Sequence, residues 1–407
     1  MLGSVHATAS ARAATTGIGP LSICMISDDF VPAATGVGTH VQIVSKHLAA
    51  LGHRVTVVTT RRPGEPGSEN WHGVHVARMP TVKVAGFYQA VPGRSRLASI
   101  LAQAAPDVVH HHYLGLMMWR AVALCERLRL PQVYTYHMTE DHLTQPWPLR
   151  PLRRLVARGI VRVANRIDLV ISVSARLAAT LPAKGIDAPI ETLSNPVEFP
   201  AVAPASASPG PPRNGFVALF AGRLNPEKNV ALLLQAFALF APRTPECRLW
   251  IAGIGSQRSA LEALAARLGV AARVEFLGHL RREDLALRYR DCDAFVLPSL
   301  VETQGLVAME AMRFAKPVVV ADSVISAPEL VAEGVNGYIF DHRDPQALAD
   351  RLQDLAASPA LRASMGRAGL QRTRDWLPEA VVPQLEALYR RALASSRHRR
   401  LAEQERR

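Results

Sequence analysis

The sequence predicts an α/β protein built from two Rossmann-like, doubly wound domains facing a cleft. Three observations carry this. Apolar runs of strand length alternate with segments of helical spacing along almost the whole chain. Several of those runs are apolar at nearly every position, as in LSICMIS (21–27) and AFVL (294–297), which suits parallel strands covered on both faces. A Pro/Ala/Ser-rich stretch, FPAVAPASASPGPPRN (199–214), interrupts the series near its middle, and the same alternation resumes after it.

In the first half, strand 21–27 leads through Gly36-Val37-Gly38 into a helix with apolar residues at 41, 44, 48 and 51, closed by Gly52. This is a strand, glycine loop and helix in the dinucleotide-site order, although two glycines also make an ordinary tight turn. Strands follow at 53–60, 107–110, 132–137, 168–174 and 190–193, with helices at 116–130 and 147–166. In the second half, strands are expected at 216–221, 248–252, 273–277, 294–297 and 317–321. Helices are expected between them at 230–240, 259–268 and 283–289, and beyond them at 345–355 and 378–394. Residues 1–20 lack the apolar block of a signal peptide and read as a disordered extension. The domains expected are therefore 21–198 and 215–375 about the linker 199–214, then a helix 376–395 crossing back to the first domain and a basic tail 396–407.

The net charge of +13 is uneven. Residues 1–199 hold 20 Lys/Arg against 12 Asp/Glu, residues 200–389 hold 20 of each, and residues 390–407 hold 7 against 2. Excess positive charge in the first half and the tail attracts polyanions, either nucleic acid or an anionic membrane surface. No recognition helix or aromatic strand motif supports nucleic acid, and no apolar run is long enough for a membrane span. The segment WPLRPLRRLVARGIVRVANR (147–166) interleaves Leu152, Leu155, Val156, Ile160 and Val163 with Arg150, Arg153, Arg154, Arg158 and Arg162. Such a helix either lies on an anionic membrane or packs its apolar face and solvates its arginines. The four cysteines show no paired spacing and read as reduced core thiols.

The chemistry concentrates in PSLVETQGLVAMEAMRFAKP (298–317). Glu302 falls in the loop after strand 294–297, and Glu310 falls eight residues on, within a helix that starts after Gly305. A strand end, a glycine loop and a helix N-terminus form an anion site, because free N–H groups and the positive end of the helix dipole point outward. Arg223 and Lys228, in GRLNPEKN just past strand 216–221, suit a diphosphate. His137 ends its strand at the same kind of edge. Each of these residues has an ordinary surface or structural reading from spacing alone. Of His110, His111 and His112, only the outer two share a face, and no carboxylate or thiol stands nearby at ligand spacing, so no metal is expected there. Asp291-Cys292-Asp293 lies at the amino end of its strand and reads as a helix-end feature.

Taken in order, GVGTHV, DVVHHH, YTYH, SNPVEF, GRLNPEKN, IAGIG, VEFLGHL and PSLVETQGLVAMEAMRFAKPVVVAD resemble the retaining, nucleotide-sugar-dependent glycosyltransferases of family 4, which have the GT-B fold. The resemblance runs from about Leu21 to Trp376. It implies that Arg223 and Lys228 stabilise the leaving diphosphate, Glu302 holds donor-sugar hydroxyls, Glu310 holds the ribose, and His137 stands at the reacting centre. Gly305, Leu306 and Val307 would offer N–H groups to the phosphates, and Gly36 would let its loop approach them. Gly253, Gly278, Thr303 and Gln304 complete the nucleotide-sugar set. The resemblance further implies no metal and no cofactor beyond a nucleotide-diphosphate sugar, with a UDP-sugar the first choice. The family's usual Gly-Gly is Thr35-Gly36 here, and an aromatic common in the family is Gln304. The form ETQG is similar to the bacterial glycosyl-diacylglycerol synthases. That likeness and the basic first half point to a lipid acceptor and a peripheral position on the inner face of the cell membrane. A soluble, polyprenyl-linked or lipopolysaccharide saccharide is the other acceptor class.

Overall fold

In a computed structural model the chain is described over residues 19–32, 35–84, 87–91, 93–112, 115–141, 151–199 and 215–405. Most of the expected N-terminal extension, residues 200–214 of the linker, Trp147 and Arg150 lie outside these residues.

The first half opens with β1 (Ser22–Ile26), α1 (Gly36–Ala50) and β2 (Arg54–Thr60). Four short strands follow, β3 (Ser68–Trp71), β4 (Val74–Met79), β5 (Thr81–Val84) and β6 (Phe87–Ala90), then α2 (Arg94–Ala104). Next come β7 (Val108–His111), α3 (Leu116–Arg127), β8 (Gln132–Tyr136), α4 (Arg153–Ala164), β9 (Leu169–Ser172), α5 (Ala175–Thr180) and β10 (Ile190–Thr192). The second half runs β11 (Phe216–Ala221), α6 (Val230–Phe240), β12 (Cys247–Ala252), α7 (Arg258–Arg267), β13 (Val274–Gly278), α8 (Arg282–Asp291) and β14 (Ala294–Leu297). It continues with α9 (Leu306–Arg313), β15 (Val318–Ala321), α10 (Ala327–Leu330), β16 (Gly337–Phe340), α11 (Pro345–Ala357), α12 (Pro359–Arg372) and α13 (Pro378–Glu405).

The chain forms two compact units. Unit 1 holds residues up to Tyr134, Arg166–Leu169 and Ala387 onward, and unit 2 holds Thr135–Asn165 and Val170–Glu386. In unit 1, β1 pairs in parallel with β2 and β7, β2 with β4, and β7 with the first residues of β8. Antiparallel β3 closes one edge against β4. Cys24, Ile26, Val58, Met79 and Val109 from this sheet pack with Leu97, Leu101 and Met117 from α2 and α3. A buried side chain of that size contributes about 1.5–3 kcal/mol through removal from water.

Unit 2 carries a six-stranded, all-parallel sheet in the order β13-β12-β11-β14-β15-β16. Its central strands β11, β14 and β15 are buried at every residue, which is why they read as unbroken apolar runs. β9 and β10 pair in parallel within this unit too. The compact division therefore falls inside β8 and β9, ahead of the boundary that composition suggests at 199–214. The physical reason is visible in polar ties. The Glu329 carboxylate accepts hydrogen bonds from the N–H groups of Ala175 (3.0 Å) and Arg176 (2.7 Å), and so holds the start of α5 to unit 2.

The last helix, α13, runs to Glu405, well beyond the 376–395 expected and into the segment read as a tail. No Gly or Pro follows Pro383 to stop it. Its residues from Ala387 cluster with unit 1, where Tyr389 Oη lies 2.7 Å from His110 Nδ1. All four cysteines are buried and free.

Candidate active site

Strand order in the unit 2 sheet reverses between β11 and β14. In a doubly wound sheet the loops leaving the carboxyl ends of two such strands diverge, and a crevice opens between them. Glu302 follows β14 and Lys228 follows β11, in a 3-10 turn Pro226–Lys228. Their side chains meet across that switch point, Nζ to Oε2 at 2.6 Å, with 14% and 19% of the side chains exposed. The pairing gathers one cation and one carboxylate at the position where the topology alone predicts a ligand.

The loop 302–305 is held on several sides. Glu302 O accepts from Ile325 N (3.0 Å), and Gln304 O accepts from Ser326 Oγ (2.7 Å). Thr303 Oγ1 donates to the carbonyl of His137 at 2.8 Å. His137, 6% exposed, stands just past β8, so this bond places the backbone of His137 beside the Glu302 loop. Gly305 then takes φ 77°, a conformation that an L side chain adopts only with strain, and α9 begins at Leu306. No side chain caps this helix, so the first-turn N–H groups, those of Leu306 and Val307 first, stand as donors for an anion.

The Gln304 side chain is tied to residues 194–195. Its Oε1 accepts from the backbone N–H (3.2 Å) and side-chain amide (2.5 Å) of Asn195, and its Nε2 donates to Ser194 Oγ (2.6 Å). The side chain is a strut to residues 194–195.

Glu310 sits in α9, 9% exposed. Tyr289 Oη donates to its Oε2 at 3.0 Å, and Arg282 Nη1 lies 3.8 Å from its Oε1. Burial raises the carboxyl above its ordinary range, with Arg282 and the Tyr289 hydroxyl acting against it. The Arg282 guanidinium in turn lies 4.6 Å over the ring of Phe199. Neither Tyr289 nor Arg282 was signalled by the sequence, because each is more than 20 residues from Glu310 and reads as part of a polar helix.

Arg223, just past β11, keeps half its side chain exposed and lies 3.4 Å from the buried carboxylate of Glu227. The loops after β11, β12 and β13 stack closely. Gly253 N donates to Gly278 O at 2.7 Å, and a Cβ on Gly253 would fall 1.8 Å from Gly222 O. Gly253 is thus a packing requirement that lets three strand-end loops lie flush. Asp291-Cys292-Asp293 is structural, since Asp293 Oδ2 accepts from Val217 N at 2.9 Å and its Oδ1 meets Arg362 Nε at 3.2 Å.

In unit 1, Gly36 is the first residue of α1. Thr35 is the N-cap, and its Oγ1 accepts from Gly38 N at 3.2 Å and donates to Asp29. Thr35 therefore works as a cap where the family's usual residue is glycine. His110 and His112 do share a face, with ring centroids 3.8 Å apart. Burial and the neighbouring His40 and His111 hold His110 well below the usual imidazole range.

Two family profiles cover most of the chain: "Glycosyltransferase Family 4" over residues 34–199 and "Glycosyl transferases group 1" over 204–372. The D-inositol 3-phosphate glycosyltransferase of Streptomyces avermitilis is 32% identical over 409 residues, covering 90% of this chain and 85% of the relative. The chain belongs to glycosyltransferase family 4. The alpha-monoglucosyldiacylglycerol synthase of Acholeplasma laidlawii is 25% identical, covering 91% of this chain and 96% of that one. Sucrose-phosphate synthase from Thermosynechococcus elongatus superposes with a TM-score of 0.80 at 24% identity, over 92% of this chain and 99% of that one. The fold of this glycosyltransferase is accordingly GT-B, as the sequence motifs imply.

Proposed function

We propose that this glycosyltransferase moves a hexose, with retention and without a metal, from a UDP-sugar to a membrane lipid acceptor such as diacylglycerol. In the reaction the bond from the sugar's anomeric carbon to the diphosphate breaks and a bond to the acceptor oxygen forms on the same face. The acceptor's proton passes to the leaving phosphate. Lys228, Arg223 and the N-terminus of α9 would neutralise the charge that develops on the diphosphate, and preorganised groups of this kind commonly supply the largest catalytic contribution. Glu302 would orient the sugar hydroxyls, Glu310 the ribose, and His137 would stand by the anomeric carbon.

The observation that carries the acceptor class is α4. Its C-terminal half packs through Ile160, Val163 and Ala164, while Leu152 and Leu155 are 44% and 65% exposed beside exposed Arg154, Arg158 and Arg162. Exposed leucines among arginines are the composition of an interfacial helix. Among the described residues no helix is long and apolar enough to cross a membrane, so attachment at the inner face of the cell membrane would be peripheral. The likeness to a monoglucosyldiacylglycerol synthase supports the same reading. The greater identity to a D-inositol 3-phosphate glycosyltransferase supports a second one, in which the acceptor is a soluble phosphorylated polyol or saccharide.

Labelled hexose from UDP-glucose is expected to enter organic-extractable product with vesicles containing diacylglycerol, and to disappear with Glu302→Ala. Transfer only to D-inositol 3-phosphate would discard the lipid acceptor and keep the chemistry. Thermal protection by GDP but not UDP would discard the donor base.

A further inference from the structure

Asp28 lies two residues past β1 and is buried. It is 6% exposed, and neither oxygen of its carboxyl has a hydrogen-bond partner among the described residues. Its backbone carbonyl accepts from Thr60 Oγ1 at 2.8 Å. Its neighbour Asp29 makes the contrast, since Asp29 accepts from Thr35 and from Arg62 at 3.4 Å. The Asp28 carboxyl is pressed against the start of α3. A Cβ on the N-cap residue Gly115 would lie 2.1 Å from Asp28 Oδ2 and 3.2 Å from Gln89 Oε1. That glycine brings no side-chain cap of its own.

A buried polar group without a partner costs about 1–3 kcal/mol, and a chain that keeps one normally uses it. The location decides the use. Asp28 lies at the carboxyl edge of the parallel sheet of unit 1, the edge at which α/β proteins bind ligands. Burial first, then the charge of Asp29, pushes the carboxyl up to about 7, so it can either accept from a hydroxyl or donate to an ether oxygen.

We infer that Asp28 is the acceptor-recognition residue of unit 1, its carboxyl taking a hydroxyl group of the sugar acceptor at the carboxyl edge of this sheet. The inference rests on the reading above that the second substrate is a hydroxyl-bearing acceptor. It adds the residue that selects that acceptor, which no sequence motif marks.

The test is acceptor binding, measured by calorimetry on the full chain with 1,2-dioctanoylglycerol in micelles and with D-inositol 3-phosphate in buffer. Wild type, Asp28→Asn and Asp28→Ala are compared, with UDP affinity as the control for an intact donor site. Wild type is expected to bind one probe, and both variants to bind it at least about tenfold more weakly, the size of a lost hydrogen bond to a charged group. UDP affinity is expected to stay within about twofold. The inference is overturned if both variants bind the probe as wild type does, if wild type binds neither, or if UDP affinity falls in parallel in both variants. Hexose transfer is scored separately. Transfer that persists while binding ignores Asp28 sinks this inference alone. Asp28-dependent binding in a protein that transfers no hexose sinks the proposed function alone.

Discussion

Lys228 and Glu302 form an ion pair of 2.6 Å between the two loops that flank the reversal of strand order in unit 2. Two jobs meet in this pair. Lys228 orients the Glu302 carboxylate, and Glu302 holds the ammonium where a diphosphate would develop charge. Glu302→Gln and Lys228→Ala are each expected to lower kcat by about 10²–10³, the range seen when one preorganised charge-stabilising group is removed. Single-turnover rates, read beside UDP protection in a thermal melt, check this. A variant that loses UDP protection and rate together has lost donor binding instead.

Tyr289 supports Glu310 from within the core of unit 2. Tyr289→Phe keeps the ring and removes the hydroxyl. Folding stability should fall by about 1–3 kcal/mol because a buried carboxylate loses its donor. UDP affinity should fall with it, since Glu310 would no longer be fixed. Urea unfolding and UDP titration of the same variant give both numbers.

The raised carboxyl of Asp28 sets a pH dependence whose sign is fixed. In the unfolded chain this group ionises at its ordinary value of about 3.8, and in the folded chain at about 7. Between those values the folded state holds the extra proton, so Asp28 makes stability fall as pH rises through that window, by at most about 1.4 kcal/mol per pH unit, and no further above it. Asp28→Asn removes the dependence. Urea midpoints from pH 4 to pH 8 should show the variant gaining on wild type up to about pH 7. A constant difference would contradict the assignment.

On α4, Arg153 already bonds Asp141 at 3.1 Å and lies 3.4 Å from Glu140. Arg154 and Arg158 are therefore the better probes of lipid attachment. Arg154→Glu with Arg158→Glu should weaken sedimentation with anionic vesicles by more than tenfold, given about 1 kcal/mol per basic residue near such a surface. Leu155→Ser should weaken it at any salt concentration, whereas the arginine effect fades as salt rises. Binding unchanged in both variants would remove α4 from the membrane reading.

The parts of the fold legible in sequence are those where local pattern and tertiary burial agree. β11, α6 and β14 run over the residues that their apolar runs indicate, because every side chain in the strands is buried and no alternation competes. The stretch from β3 to β6 was not legible. SENW and TVKV are short and largely polar, and they pair only as an edge strand and a separate hairpin. The placement of Glu302 after a strand and Glu310 in a helix followed from a glycine and a helical period. Their partners did not, because Lys228 is 74 residues from Glu302 and Tyr289 is 21 residues from Glu310. Asp28 was invisible for a different reason. Ser-Asp-Asp-Phe after a strand reads as a solvated turn, and only packing turns it into a buried acid.

The Gln304 amide has a practical consequence for building chimeras within family 4. It couples residues 194–195, near the end of the first half of the sequence, to the loop beside α9 in the second half. A crossover placed in the obvious linker after Phe199 would supply Ser194 and Asn195 from one parent and Gln304 from the other. A parent that carries an aromatic at the Gln304 position would leave both amide partners facing a ring. Joints for swapping the two halves of this chain therefore belong ahead of β9, so that the strut, and the Glu329 cap on α5, travel as one inherited piece.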